Sequence, residues 1–72
     1  MRVRISDEHC LDDLIVFLGR AGYRSYEVGT KELLVARAPD STRLELLQLD
    51  LDLHLRAWEA AHPGVQASQV DT

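Results

Sequence analysis

Histidine, cysteine and clustered carboxylates are the side chains of this chain that could hold a metal, attack an electrophile or move a proton. Their spacing argues against all three. The histidines are His9, His54 and His62. Asp50 with His54, and Glu59 with His62, stand four and three residues apart, so on a helix either pair shares a face and supplies two ligands. A metal site needs three or four, and spacing places no third. The histidines therefore read as surface residues, His62 near a helix C-terminus where positive charge is favoured. Cys10 falls in the first turn of a helix, where a thiol can become acidic. No second cysteine makes a CxxC pair, and Asp12 and Asp13 oppose a thiolate, so Cys10 reads as a packed residue beside Leu14. The pairs Asp12/Asp13 and Asp50/Asp52 are one and two residues apart, and such neighbours do not face each other on a helix. They read as solubilising charge rather than an acid–base pair. There is no nucleophile elbow, phosphate-gripping glycine loop or zinc ribbon. With no nucleophile, base and oxyanion group to assemble, the expectation is a protein that is not an enzyme and needs neither metal nor cofactor.

Two patterns carry binding chemistry instead. "MRVRIS" alternates, so Arg2 and Arg4 point away from a core that takes Val3 and Ile5. Arg37 lies on the strand expected to neighbour them, and Tyr23 or Tyr26 could add an aromatic ring. Basic and aromatic groups on an open sheet hold single-stranded RNA in some folds, or a small anion. Opposing this, Leu33 and Val35 share Arg37's side of its strand, and the aromatic-rich RNA-binding signature is missing. The plainer reading pairs these arginines with Glu27 or Glu32 on a solvated surface.

The second pattern is "LQLDLDLHLR", residues 47–56, with leucine at every second place. Linear alternation suggests a strand. Wound at about 100° per residue, the segment 43–62 instead gives two leucine stripes. Leu44, Leu47, Leu51, Leu55 and Trp58 form one; Leu46, Leu49, Leu53, Ala57 and Ala60 form the other, nearly opposite. Leucine's helix propensity, Thr42 with Glu45 as a capping box, and Pro63-Gly64 as a stop all favour a helix. A helix on a sheet needs one apolar face of little more than 100°. The second stripe exceeds that. Either a neighbouring helix absorbs it, through Val16, Phe17 or Ala21, or Leu46, Leu49 and Leu53 form an interface. A symmetric homodimer is the commonest such solution, and a different protein partner is the alternative.

The elements that must position these residues are a strand over 1–6, a helix over 7–21, strands over 23–28 and 31–38, a helix over 41–62, and a short strand or plain terminal segment over 65–70. Ser6 or Asp7 caps the first helix, Leu11, Leu14, Ile15 and Leu18 give its apolar face, and Gly22 supplies a left-handed end. Gly19 is a weak point within it. "GTK" joins the second and third strands as a hairpin, and "APDST" breaks the pattern before the second helix. Strand, helix, hairpin, helix, strand is the ferredoxin-like, split βαβ order of an α+β fold, with an antiparallel sheet and both helices on one face.

The chain has 72 residues, enough for one domain with a small core, which makes self-association a real route to stability. It is 46% hydrophobic and 28% charged, too apolar for a disordered tail. A net charge of −4 disfavours nonspecific binding to nucleic acid or an anionic membrane. One cysteine excludes an internal disulfide, the N-terminus lacks an apolar signal region, and no apolar run approaches a membrane span, so a cytoplasmic protein is expected.

The start "MRVRI", the Gly22-Tyr23 turn after the first helix and the segment "LDLHLRAWEAAHPGV" resemble a group of small bacterial proteins of similar length. That resemblance spans nearly the whole chain and implies no activity or site. More distantly, the element order is similar to ACT-type regulatory modules, which dimerise and bind small metabolites. Their ligand loop after the first strand contains glycine, whereas "SDEHCLDD" has none.

Overall fold

The computed structural model describes residues 1–37 and 43–70. Its elements are strand β1 (Arg2–Ile5), a single 3-10 turn (Glu8–Cys10), helix α1 (Leu11–Arg20), strands β2 (Tyr23–Gly29) and β3 (Glu32–Arg37), helix α2 (Leu44–Ala61) and strand β4 (Ala67–Val70). The fold is α+β: two helices and one four-stranded sheet in the order β2-β3-β1-β4, antiparallel at every pairing.

Registers follow the alternation of each strand. Val3 lies across from Leu33, Ile5 across from Ala67, and Ser25 across from Val35. Side chains of one parity therefore share a face. Val3, Ile5, Leu33, Val35, Tyr23 and Ala67 form the sheet's half of the core; Leu11, Leu14 and Leu18 of α1 with Leu51, Leu55 and Trp58 of α2 form the other half. Residues of the opposite parity, Arg4, Arg24, Tyr26, Leu34 and Ser68, are exposed on the uncovered face.

The entry to α1 differs from a plain capped helix. Asp7 caps the 3-10 turn, accepting from the His9 N–H at 2.9 Å, and the α-helix starts only at Leu11 behind Cys10, which makes no side-chain cap. Gly22 (φ 93°) and Gly64 (φ 87°) take the left-handed backbone that ends each helix, a conformation costly for a residue with a Cβ. In β2 a bulge between Glu27 and Gly29 absorbs one residue beside the β2–β3 turn. The α2 backbone enters the helix at Arg43, which has no capping side chain of its own. The capping box of Thr42 with Glu45, the "APDST" break and the outer ends of the 31–38 and 41–62 segments lie outside the described residues.

Candidate functional site

Helix α2 is the element whose surface exceeds the needs of the fold. Its inner face is Leu51, Leu55 and Trp58, each almost fully buried. Nearly opposite on the wheel, Leu46, Leu49 and Leu53 leave 56%, 59% and 59% of their surface open, and Ala57 and Ala60 extend the strip toward the C-terminus. Leu44 is equally open at the first turn. Helix α1 does not cover this strip. Val16 is itself exposed, while Phe17 and Ala21 pack toward the core, Phe17 with its ring edge-on to His54 at 6.2 Å. A stripe of leucines two turns long is thus left on the surface, and contiguous apolar area of that kind usually marks an interaction site.

On the open face of the sheet, Arg2 and Arg4 straddle Glu32, with nitrogen–oxygen distances of 3.4 and 3.3 Å. The structure does not bring Arg37 to them. Strand parity places Arg37 on the helix-covered side with Leu33 and Val35, where its guanidinium lies 3.6 Å from Asp50 and 5.5 Å from the centre of the Tyr23 ring. Tyr23 is in the core, so Tyr26 is the tyrosine left on the open face, opposite Leu34. A partly open hollow of about 690 Å³ near the β2–β3 turn is lined by Arg4, Ser6, Lys31, Glu32 and Ser68 among others. The Glu32 carboxylate pairs with Arg4 there, which leaves Lys31 as the cation not offset by it.

Two polar clusters join the helices to other elements, and of their contacts sequence spacing reveals the Asp50–His54 pair. In the first, the Tyr23 hydroxyl donates to the Asp50 carboxylate, which also faces Arg37 and the His54 ring, 3.4 Å away. Burial, and then the bond to Asp50, push the Tyr23 phenol up to about 12. In the second, the Asp13 carboxylate of α1 accepts from Trp58 Nε1 at 2.9 Å and lies 2.8 Å from His62 Nε2. His62 stacks on Trp58, ring centres 4.2 Å apart, with Nδ1 2.8 Å from the Trp58 carbonyl oxygen. Asp13 and Trp58 stand 45 residues apart, so only the fold unites them. Glu59, the other residue of the His62 pair, turns instead to the Ala67 N–H at 3.2 Å.

Both clusters tie α2 to another element through hydrogen bonds and ion pairs. No group of three His, Cys, Asp or Glu side chains able to hold a metal ion occurs among the described residues. Cys10 is half-buried; desolvation and the Asp7 carboxylate push its thiol up, which lowers its nucleophilic fraction. The His9 backbone and ring hold the Asp7 carboxyl below its ordinary value, as suits a capping carboxylate. Among the described residues no helix is long and apolar enough to cross a membrane. Comparison of the chain with protein families, with curated proteins and with solved structures finds no match in any of the three.

Proposed function

We propose that the chain is a non-catalytic interaction or regulatory module that associates with a second copy of itself through the outer strip of α2. The observation that carries this reading is the exposure of Leu46, Leu49 and Leu53 on the face opposite the core. Alanine or a polar residue at those positions would serve the monomer as well, because more than half of each residue's surface lies open. A 72-residue domain also gains more from an added apolar contact than a large one does.

We further read the fold as the ferredoxin-like, split βαβ arrangement. Supporting this, β1 and β2 flank β3 while α1 connects them, and β4 returns to the free edge of β1. ACT-like modules use that layout to dimerise around small ligands, but here only the layout speaks for metabolite sensing. Sheet-face binding of single-stranded nucleic acid or an anion has weaker support, since Arg2 and Arg4 share Glu32 and Arg37 faces Asp50.

Light scattering of the chain from low to high micromolar concentration tests the proposal. A rise in mass toward twice the 8.1 kDa of one chain is expected. A constant monomer mass across that range overturns it. Salt-sensitive retention of short RNA that disappears in an Arg2→Ala/Arg4→Ala variant would favour the sheet face instead, and a thermal upshift with one metabolite would favour ligand sensing.

A further inference from the structure

We infer that two copies of α2 pack antiparallel about a two-fold axis, with Leu49 of each against Leu53 of the other and Glu45 of each paired with Arg56 of the other. This inference rests on the proposed self-association and adds the geometry of the partner surface. It comes from the charges that border the leucine strip. At about 100° per residue, Glu45 and Arg56 fall within about 20° of each other, along one margin of the strip. Both are exposed, and Arg56 lies 2.9 Å from Asp52, one turn back on its own helix. Asp50 and Arg43 border the strip on the other margin.

The symmetry of the contact decides which margins meet. A two-fold axis perpendicular to a pair of antiparallel helices sets each margin against the same margin of the partner. Sliding the helices until Leu49 lies across from Leu53 then brings Glu45 level with Arg56, twice over, and sets Leu46 beside Ala57. The large side chains meet at the centre, and the small Ala57 and Ala60 leave room for the leucines at the ends. Parallel helices would instead oppose unlike margins, and Glu45 and Arg56, which share one margin, would then not meet. In the antiparallel arrangement Asp50 is no obstacle, because its carboxylate is already turned inward to Tyr23 and Arg37. The core-facing sides of both helices point away from the contact.

Charge exchange between chains reads this pairing directly. Glu45→Arg alone and Arg56→Glu alone should each self-associate roughly fivefold more weakly than the parent chain, since each homodimer then holds two like-charged pairs. An equimolar mixture of the two variants should recover association, because the heterodimer restores an Arg–Glu pair at both ends. The Asp52–Arg56 pair is lost in both chains of the Arg56→Glu homodimer and in one chain of the heterodimer, so that loss alone leaves the mixture between the two single variants, and the pairing requires association stronger than in either of them. A second measurement is independent of charge. With Cys10 replaced by serine, Glu45→Cys mixed with Arg56→Cys should form a mixed disulfide on mild oxidation. Neither variant should bridge to itself, because like positions lie about 16 Å apart along the axis and a disulfide needs Cα atoms within roughly 7 Å. A dimer that shows neither recovery nor the mixed bridge overturns the antiparallel pairing while leaving self-association intact. A parent chain that stays monomeric overturns both.

Discussion

Tyr23 illustrates how one side chain can serve both the core and the polar boundary of this domain. Its ring is buried beneath the helices while its hydroxyl emerges beside Asp50, under Arg37. The pH dependence that follows has a definite sign. The unfolded phenol loses its proton near pH 10 and the folded one only near 12, so between those values the unfolded state holds fewer protons and is favoured. The stabilisation is complete below pH 10 and is lost as pH rises toward 12. Chemical denaturation across that window should show stability falling in the parent chain, and a Tyr23→Phe variant should lose that component of the slope. The same variant should cost about 1 kcal/mol at neutral pH, the net worth of one hydrogen bond. At the second cluster, Asp13→Ala should destabilise by about 1 kcal/mol, since it leaves the Trp58 indole N–H without its acceptor; a thermal melt checks this. Neither cluster was legible as a whole in the sequence. Local spacing suggested Glu59 with His62, whereas the actual partner of His62 is Asp13, on a different helix. Asp50 with His54 was legible because one helical turn joins them, but Tyr23 and Arg37 reach Asp50 only through the sheet.

At the scale of elements, α1 and α2 spend their residues differently. Helix α1 has a single buried line, Leu11, Leu14 and Leu18, and carries Gly19 on its exposed side with nothing within 4 Å of an added Cβ. Gly19→Ala should therefore stabilise the domain by about 0.5–1 kcal/mol, read from the denaturation midpoint. Helix α2 has two leucine lines with opposite duties. Leu51→Ala or Leu55→Ala should cost about 2–5 kcal/mol of monomer stability, because each opens a cavity in the core. Leu49→Ala or Leu53→Ala should change monomer stability by no more than about 0.5 kcal/mol, since these side chains already stand in water. Denaturation at concentrations too low for association separates the two lines. The helical nature of this segment was readable because 3.6-residue winding sorts its leucines into stripes, although they alternate when read linearly. Strand parity was equally readable in "MRVRI". Parity also bears on Arg37: Leu33 and Val35 share its side of β3 and are fully buried, so the covered side was the one to expect for it. The 3-10 turn before α1 had no signal beyond Asp7, because a capping aspartate serves either kind of turn.

The molecule as a whole is a sheet with one face covered by two helices, and a surplus of apolar surface on the outer side of one of them. Open apolar groups also occur on the bare sheet, at Tyr26, Val28 and Leu34, but there they are interleaved with Arg2, Arg4, Arg24 and Glu32. The α2 strip runs unbroken from Leu46 through Leu53 to Ala60 and is bordered by both signs of charge, which suits a self-complementary contact. How far a surface is covered depends on where neighbouring elements pack. The sequence alone therefore left open whether α1 would take up the second leucine line, and the exposure of Val16 shows that it does not. The most direct test of the central claim is sedimentation velocity at micromolar concentration, comparing the parent chain with a Leu49→Lys/Leu53→Lys variant of matched helicity. A concentration-dependent dimer in the parent and a plain monomer in the variant are the expected pair of results; equal sedimentation of the two, as monomers or as dimers, contradicts the account.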